Sequence, residues 1–260
     1  MAGIPLRREE RDSGPFVICG GPCAFNPEPL APFVDFFVLG DGEVSTHQTI
    51  DAYRQWKASG LPRAEYLRMV AKIPGVYVPS LYDVAYNADG TIASIAPKEG
   101  SGAPEMVYKA LVNDLTHADY PEKLIVPYGE VVHNRIMLEI FRGCTRGCRF
   151  CQAGMIYRPV RERSMDRLLE LAEKLVRATG YDEISLMSLS SGDYSCLPEL
   201  AREMVRRYAG RRVKISLPSQ RIDNVLTDTL KETQKVRKTA LTLAPEAGTQ
   251  RLRDVINKGV

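Results

Sequence analysis

The second half of the chain alternates short apolar runs with segments of helical spacing. Four apolar runs are bounded by glycine or polar residues: 135–141, 183–189, 213–217 and 239–243. The segments between them place apolar side chains on one helical face: 165–178, 197–208 and 223–234. Apolar strands that alternate with helices are typical of a parallel sheet covered on both faces. The pattern predicts about four βα units of a barrel-like sheet, with a site at the carboxyl ends of its strands.

The first half carries a shorter form of the same pattern. Apolar strands are predicted at 16–19 and 34–39, each followed by a glycine turn, and a helix is predicted at about 46–58. This alternation is typical of a Rossmann-like domain. Because two strands are few for such a domain, we expect residues 1–60 to be its C-terminal part.

The middle of the chain has a different pattern. A short helix is predicted at 61–73, and the alternation at 76–96 predicts a hairpin that turns at Asn87–Gly90. The proline- and glycine-containing segment that follows is typical of a linker. The predicted division is therefore 1–60, 61–128 and 129–260.

Charge and cysteine usage limit the classes of partner and compartment. The net charge is only +3, but seven arginines lie between Arg142 and Arg167 and five between Arg202 and Arg212. Such clusters bind phosphates, as in RNA, or form ion pairs on helix faces, and the sequence leaves both open. The N-terminus has no apolar signal core and no run reaches the length of a membrane span. The six cysteines are therefore expected in a reducing cytoplasm, with no membrane partner.

Three cysteines follow the strand predicted at 135–141. They are Cys144, Cys148 and Cys151, spaced C-x3-C-x2-C. Thiolates are the usual ligands of iron–sulfur clusters, and three of them bind three irons of a [4Fe–4S] cubane. The fourth iron has no ligand on this loop, so we expect a small molecule to bind there. Zinc is the alternative, but structural zinc sites usually add a second cysteine pair or two histidines, and the nearest histidine is His133.

The run from Arg142 to Ser164 resembles the radical S-adenosylmethionine (SAM) superfamily. With the segments 19–43 and 244–259, it is similar to an uncharacterised family that joins a cobalamin-binding-like N-terminal domain to such a core. The core is similar to those of methylthiotransferases and of the elongator catalytic subunit. The fold class implied is α/β, a partial radical SAM (βα) barrel of about four units after a truncated Rossmann-like segment.

The resemblance also implies an activity. In this superfamily a [4Fe–4S] cluster reductively cleaves SAM to a 5′-deoxyadenosyl radical, which activates a C–H bond of the substrate. The one-electron donor implied is a protein of the flavodoxin or ferredoxin type. The substrate is not predicted, although modification of RNA or protein is compatible with the sequence. The alternative from another class is a non-catalytic accessory domain that binds an iron–sulfur cluster or zinc.

Residues at the predicted strand ends match the positions that hold SAM in this superfamily. The implied SAM ligands follow the second, third and fourth strands, with one aromatic residue in the cysteine loop to stack on adenine: Ser191, Gly192, Asp193, Ser216, Ser219, Arg221, Glu246 and Phe150. Simpler roles exist for some of them. Gly192 suits a plain βα turn, and Ser219 suits a helix cap.

Two departures from the family pattern lead to further expectations. A D-x-H-x-x-G segment, which supplies the axial histidine in cobalamin domains, is absent from the sequence, so cobalamin binding is doubtful. The chain also has about four predicted barrel strands where six are common. We therefore expect a fragment with an open sheet edge, which solubilises poorly and cleaves SAM slowly by itself.

Overall fold

The structure, a computed structural model, describes residues 3–129, 131–218, 220–224, 227–234, 236 and 243–260. These residues form two compact units, Met1–Val112 and Asn113–Val260. Both units contain strands and helices, and the predicted α/β class with a parallel sheet is confirmed. The three-part division at residues 60 and 128 stays a prediction.

The helices and strands are numbered in chain order. The strands are β1 Ile18–Gly20, β2 Phe36–Val38, β3 Val76–Tyr77, β4 Tyr82–Tyr86, β5 Ile92–Pro97, β6 Ile136–Glu139, β7 Phe141–Arg142, β8 Arg161–Glu162, β9 Glu183–Met187 and β10 Lys214–Ser216. The helices are α1 Gly42–Ser59, α2 Arg63–Val70, α3 Ala153–Ile156, α4 Met165–Thr179, α5 Leu197–Tyr208, α6 Thr227–Gln234 and α7 Gln250–Val255.

The first unit contains a small mixed sheet in the order β1-β2-β3. Strands β1 and β2 are parallel, as predicted, whereas β3 pairs antiparallel with β2. Val76 and Tyr77 were expected in the hairpin, and this part of the prediction is wrong. Their apolar side chains are buried against Phe36 and Phe37, which lie about forty residues earlier in the chain. The hairpin itself consists of β4 and β5.

The second unit is built on the parallel sheet β10-β9-β6. Ile184 of β9 lies in register with Ile136 of β6 and is paired on its other side with Ile215. These three side chains are buried in one core with α4 and α5. The predicted fourth strand at 239–243 lies outside the described residues except for its last position.

The opposite face of the same sheet is more polar. Met137, Ser185 and Ser216 lie side by side in the register of the three strands, and alternation along each strand turns them away from the isoleucine core. This face leads to the carboxyl ends of the strands, where the cysteine loop begins.

Helix α4 has clear local signals at both ends. The Ser164 hydroxyl accepts a hydrogen bond from the Arg167 N–H at 3.4 Å, which caps the first turn. Gly180 ends the helix in a left-handed conformation with φ of 70°. Leu168, Leu171 and Leu175 lie on the buried face between these ends.

A buried arginine joins the segment before the sheet to the sheet itself. The Arg163 guanidinium donates to the Leu115 carbonyl and, at 3.3 Å, to the Glu139 carbonyl. It also lies 5.0 Å from the centre of the Tyr120 ring and 3.7 Å from the Glu139 carboxylate. Burial lowers the pKa of Arg163, and these partners compensate part of the cost of that burial.

No helix in the described part of the chain combines the length and apolar character that a membrane crossing requires.

Replacing Leu171 tests whether α4 supports the second unit. Leu171 is fully buried, so Leu171→Ala should lower the free energy of unfolding by about 2–5 kcal/mol in urea titrations. Ile125→Ala, at a side chain that is 97% exposed in the same unit, should change it by less than about 0.5 kcal/mol. Equal effects of the two substitutions would contradict the packing described.

Candidate functional site

The three cysteines of the C-x3-C-x2-C motif lie on one loop between β7 and α3. Cys144, Cys148 and Cys151 are all free thiols and partly buried. Gly143 opens the loop with φ of 97°, and a Cβ at this position would lie 2.5 Å from the Pro159 carbonyl oxygen. Only glycine therefore allows the loop to pass so close to the segment that returns to β8.

Hydrogen-bond donors already face two of the three sulfur atoms. The Gly154 N–H lies 3.4 Å from the Cys151 Sγ, and the Arg221 Nη1 lies 3.9 Å from the Cys148 Sγ. Donors in this position favour thiolates and tune the potential of a bound cluster. The chemistry of the donor set, three thiols of which two have donors directed at their sulfur atoms, fits an iron–sulfur cluster.

A mononuclear metal site finds no support in the described residues. Among them, no group of three His, Cys, Asp or Glu side chains is arranged to hold a single metal ion. In a cubane each thiolate binds a different iron, so its ligands need not converge on one point. The arrangement of these side chains therefore does not support the zinc alternative.

Arg146 joins the cysteine loop to the ends of β9 and β10. Its guanidinium donates two hydrogen bonds to the Asp193 carboxylate, one of them at 2.9 Å from Nε, and lies 3.8 Å from Asp223. The hydrogen bonds with Asp193 raise the pKa of Arg146. Since Asp193 follows β9 and Asp223 follows β10, this single side chain contacts the loops after two neighbouring strands.

Arg221 forms a second pair at the same edge. Its Nε and Nη2 atoms donate to the two oxygens of Asp223, each at 2.9 Å. Burial works to raise the pKa of Asp223, but the hydrogen bonds and charge of Arg221 outweigh it and hold that pKa below its ordinary value. The result is an alternating series of charges, Asp193, Arg146, Asp223 and Arg221, that ends at the Cys148 sulfur.

The structure brings Phe150 and Glu246 together through Lys258. The Lys258 Nζ lies 5.8 Å from the centre of the Phe150 ring and 3.0 Å from the Glu246 carboxylate. The Phe150 side chain is 55% exposed, and Glu246 has a left-handed backbone with φ of 66°. Lys258 therefore joins Phe150 of the cysteine loop to Glu246 of the C-terminal segment.

The other predicted ligands have varied surroundings. Ser191 is fully buried, and its hydroxyl contacts the Ser188 hydroxyl at 3.0 Å and the Leu186 carbonyl at 3.3 Å. Gly192 and Asp193 complete the same turn after β9. Ser216 lies on the polar face of the sheet, in register with Ser185. Ser219 lies outside the described residues.

Three buried polar groups were missed by the sequence analysis. The hydroxyls of Ser185 and Ser190 and the amide nitrogen of Gln220 have no hydrogen-bond partner within the described part of the chain. Buried polar groups are ordinarily hydrogen-bonded, so these three groups are candidate contacts for a bound water or ligand. The signal available in the sequence was position, because Ser190 follows β9 and Gln220 follows β10.

A cavity of about 500 Å³ opens beside the cysteine loop on the polar face of the sheet. Met137, Met187 and Tyr157 are among the apolar residues of its wall, and Gly143, next to the first cysteine, also lines it. The Arg142 guanidinium and the Glu139 carboxylate, joined by two hydrogen bonds of 2.9 Å, supply its charged part. The wall suits an organic molecule with one polar end.

Comparison with known families identifies the class of protein. Residues 138–260 match the radical SAM superfamily, and residues 1–79 match the family described as radical SAM proteins, N-terminal. The chain therefore carries the core domain of the radical SAM superfamily, preceded by the N-terminal region of a group of its members. The resemblance found in the sequence is confirmed, and the cofactors of this superfamily are a [4Fe–4S] cluster and SAM.

Individual relatives are longer than this chain. An uncharacterized protein of Methanocaldococcus jannaschii is 32% identical over 99% of this chain and 49% of its own length. A probable threonylcarbamoyladenosine tRNA methylthiotransferase of Archaeoglobus fulgidus is 34% identical over 31% of this chain and 20% of its own length. The cobalamin-dependent S-adenosylmethionine radical enzyme OxsB shares the fold, with a TM-score of 0.53 and 15% identity over 97% of this chain and 34% of OxsB. The chain thus spans about half or less of these proteins.

The pairing of Arg146 with Asp193 can be measured with a double-mutant cycle. Arg146→Met and Asp193→Asn should each destabilise the protein in urea titrations, and their effects should be coupled by about 1 kcal/mol because the two side chains contact each other while partly exposed. Arg146→Met combined with Asp51→Asn, in the first unit, is the control and should be additive within about 0.5 kcal/mol. A coupling no larger than that of the control would contradict the ion pair.

Proposed function

We propose that this chain is the cluster-binding and SAM-binding part of a radical SAM enzyme, with Cys144, Cys148 and Cys151 as the ligands of a [4Fe–4S] cluster. The observation that carries the proposal is the set of donors from Gly154 and Arg221 directed at two of the three thiol sulfurs. The chemistry that such a cluster supplies when bound is the one-electron cleavage of SAM to a radical that activates a C–H bond.

The strand-end residues have separate roles in this proposal. Ser190 and Gln220 offer buried, unpaired hydrogen-bonding groups to the polar end of SAM. The remaining residues predicted from the sequence to contact SAM stay predictions: Ser191, Gly192, Asp193, Ser216, Ser219, Arg221, Glu246 and Phe150. Asp193 and Arg221 act mainly through the ion pairs that hold the cysteine loop at the strand ends.

The cavity beside the loop is the proposed substrate site. Its largely apolar wall would bind the apolar part of a substrate, and the Glu139–Arg142 pair would orient a polar group. The similarity of 31% of this chain to a probable tRNA methylthiotransferase of Archaeoglobus fulgidus supports an RNA substrate for the whole enzyme. The electron would come from a one-electron donor of the flavodoxin or ferredoxin type. Cobalamin stays doubtful for this chain.

Cluster binding is tested by removing one ligand. Anaerobically reconstituted protein should hold about four irons and four sulfides, and the EPR signal of its reduced form should change when SAM is added. Cys148→Ala should lose the cluster, whereas Cys196→Ala, at an exposed cysteine outside the motif, should retain it. Stoichiometric zinc without labile sulfide in the wild-type protein would overturn the proposal.

SAM binding is tested at the unpaired polar groups. Ser190→Ala and Gln220→Leu should each weaken SAM binding to the reconstituted protein about three- to tenfold, the usual effect of one lost hydrogen bond, in equilibrium dialysis. Iron content should stay at the wild-type level. Ser45→Ala, in the first unit, is the control and should bind SAM normally. Wild-type affinity in both variants would remove these residues from the SAM site.

A further inference from the structure

The residues on both sides of Cys148 are hydrogen-bonded to one distant segment. The Gly147 carbonyl accepts a hydrogen bond from the Asn257 side-chain amide at 2.9 Å. The Arg149 N–H donates to the Ile256 carbonyl at 3.0 Å. The two contacts cross more than one hundred residues of sequence and leave Cys148 between them. We call residues 255–259 the C-terminal clasp.

Helix α7 presents the clasp to the cysteine loop. The Thr249 hydroxyl caps the start of this helix by accepting from the Leu252 N–H at 3.3 Å. At its other end the Arg149 guanidinium donates to the Val255 carbonyl at 2.7 Å, where a cation is favoured by the helix dipole. Arg149 therefore contacts the clasp through both its backbone and its side chain.

The conformation of Asn257 suits this contact. Its backbone is left-handed, with φ of 54°, a region that asparagine tolerates better than most residues. Gly147 is also left-handed, with φ of 71°, and a Cβ at Gly147 would lie only 3.3 Å from the Asn257 amide nitrogen. The two backbones can approach each other because one residue is a glycine and the other turns its side-chain amide toward the loop.

Arg221 completes the surroundings of Cys148 from a third direction. Its Nη2 donates to the Gly259 carbonyl at 2.7 Å, while its Nη1 lies 3.9 Å from the Cys148 Sγ. The same guanidinium is held by Asp223. The clasp is thus linked to the cysteine loop through Gly147, Arg149 and Arg221.

We propose that Asn257 is a positioning residue, which, as part of the C-terminal clasp, fixes Cys148 in the orientation that holds the cluster. The inference rests on the proposed function. It gives Asn257, a residue far from the C-x3-C-x2-C motif, a part in retaining iron. Without the Asn257 hydrogen bond the loop around Cys148 would open more often, which would expose the thiol and let iron dissociate from it faster.

Two substitutions at one position separate the hydrogen bond from the backbone. Asn257→Gly keeps the left-handed backbone accessible and removes the amide. Asn257→Asp keeps the shape and replaces the donor by an acceptor that faces the Gly147 carbonyl. Asn87→Gly and Asn87→Asp, in the hairpin turn of the first unit, are the matched controls because the Asn87 amide also makes a local hydrogen bond, to Thr91.

Two measurements on the full 260-residue chain test the inference. In the cluster-free protein, alkylation of Cys148 by iodoacetamide, divided by that of the exposed Cys196 in the same molecule, should rise about fivefold in both Asn257 variants, with the larger effect in Asn257→Asp. In the reconstituted protein, iron release to a chelator should accelerate by a similar factor. The Asn87 controls should match the wild type in both measurements.

The outcomes distinguish this inference from the proposed function. An unchanged alkylation ratio in both variants overturns the proposed role of Asn257. A raised ratio with an unchanged rate of iron release also overturns it. If the wild-type protein takes up no iron and sulfide, the proposed function fails, and with it the role of Asn257 in retaining iron. If Asn257→Asp loses the circular dichroism signal of the folded protein, the same two measurements on Asn257→Gly test the role of Asn257.

Discussion

Two carboxylates at the ends of neighbouring parallel strands hold the cysteine loop through two arginines. Because β9 and β10 run in the same direction, Asp193 and Asp223 emerge at one edge of the sheet, where Arg146 reaches both. Each ion pair is partly exposed and stabilises the protein modestly when taken singly. Their main effect is to orient the loop, because paired hydrogen bonds between guanidinium and carboxylate fix orientation as well as distance. The loop is therefore positioned by residues that follow two strands of the sheet.

The same arginines set the electrostatics of the loop. A cluster held by three thiolates adds negative charge to a partly buried site, and such charge is stable only near compensating positive groups. In the proposed function Arg146 and Arg221 provide this compensation, while Asp193 and Asp223 keep both guanidiniums in place. The carboxylates beside the proposed cluster site then have one role: they orient the cations.

Local patterns in the sequence predicted much of the second unit. Helix α5 has the predicted bounds 197–208, and α4 ends one residue later than predicted, because both helices bury a strongly amphipathic face. Strand β3 was assigned to the hairpin, since an apolar pair such as Val76–Tyr77 carries no local sign of which distant strand it joins. The cysteine motif was visible because its spacing is local.

The finer parts of the site depend on contacts that leave no local pattern. Whether Ser185 lies on the isoleucine face or on the polar face of the sheet depends on strand register, and a shift of one residue reverses it. The contact between Gly147 and Asn257 joins residues 110 positions apart. Sequence reasoning identified the strand ends as the place where SAM is expected to bind, but the ion pairs there emerge only when β9 and β10 are packed side by side.

The arginines of α5 bear on the question of an RNA partner. Arg206 and Arg207 both bond to Glu203, and Arg202 bonds to Glu199, all at the spacing that favours ion pairs along a helix. The hydrogen bonds from Arg206 and Arg207 lower the pKa of Glu203 to about 2, so the carboxylate is charged at neutral pH and the positive charge is compensated locally. A phosphate that binds here must displace a carboxylate from its arginine, which offsets much of the electrostatic gain. The sequence left phosphate binding and ion pairing open for this cluster, and the structure favours ion pairing.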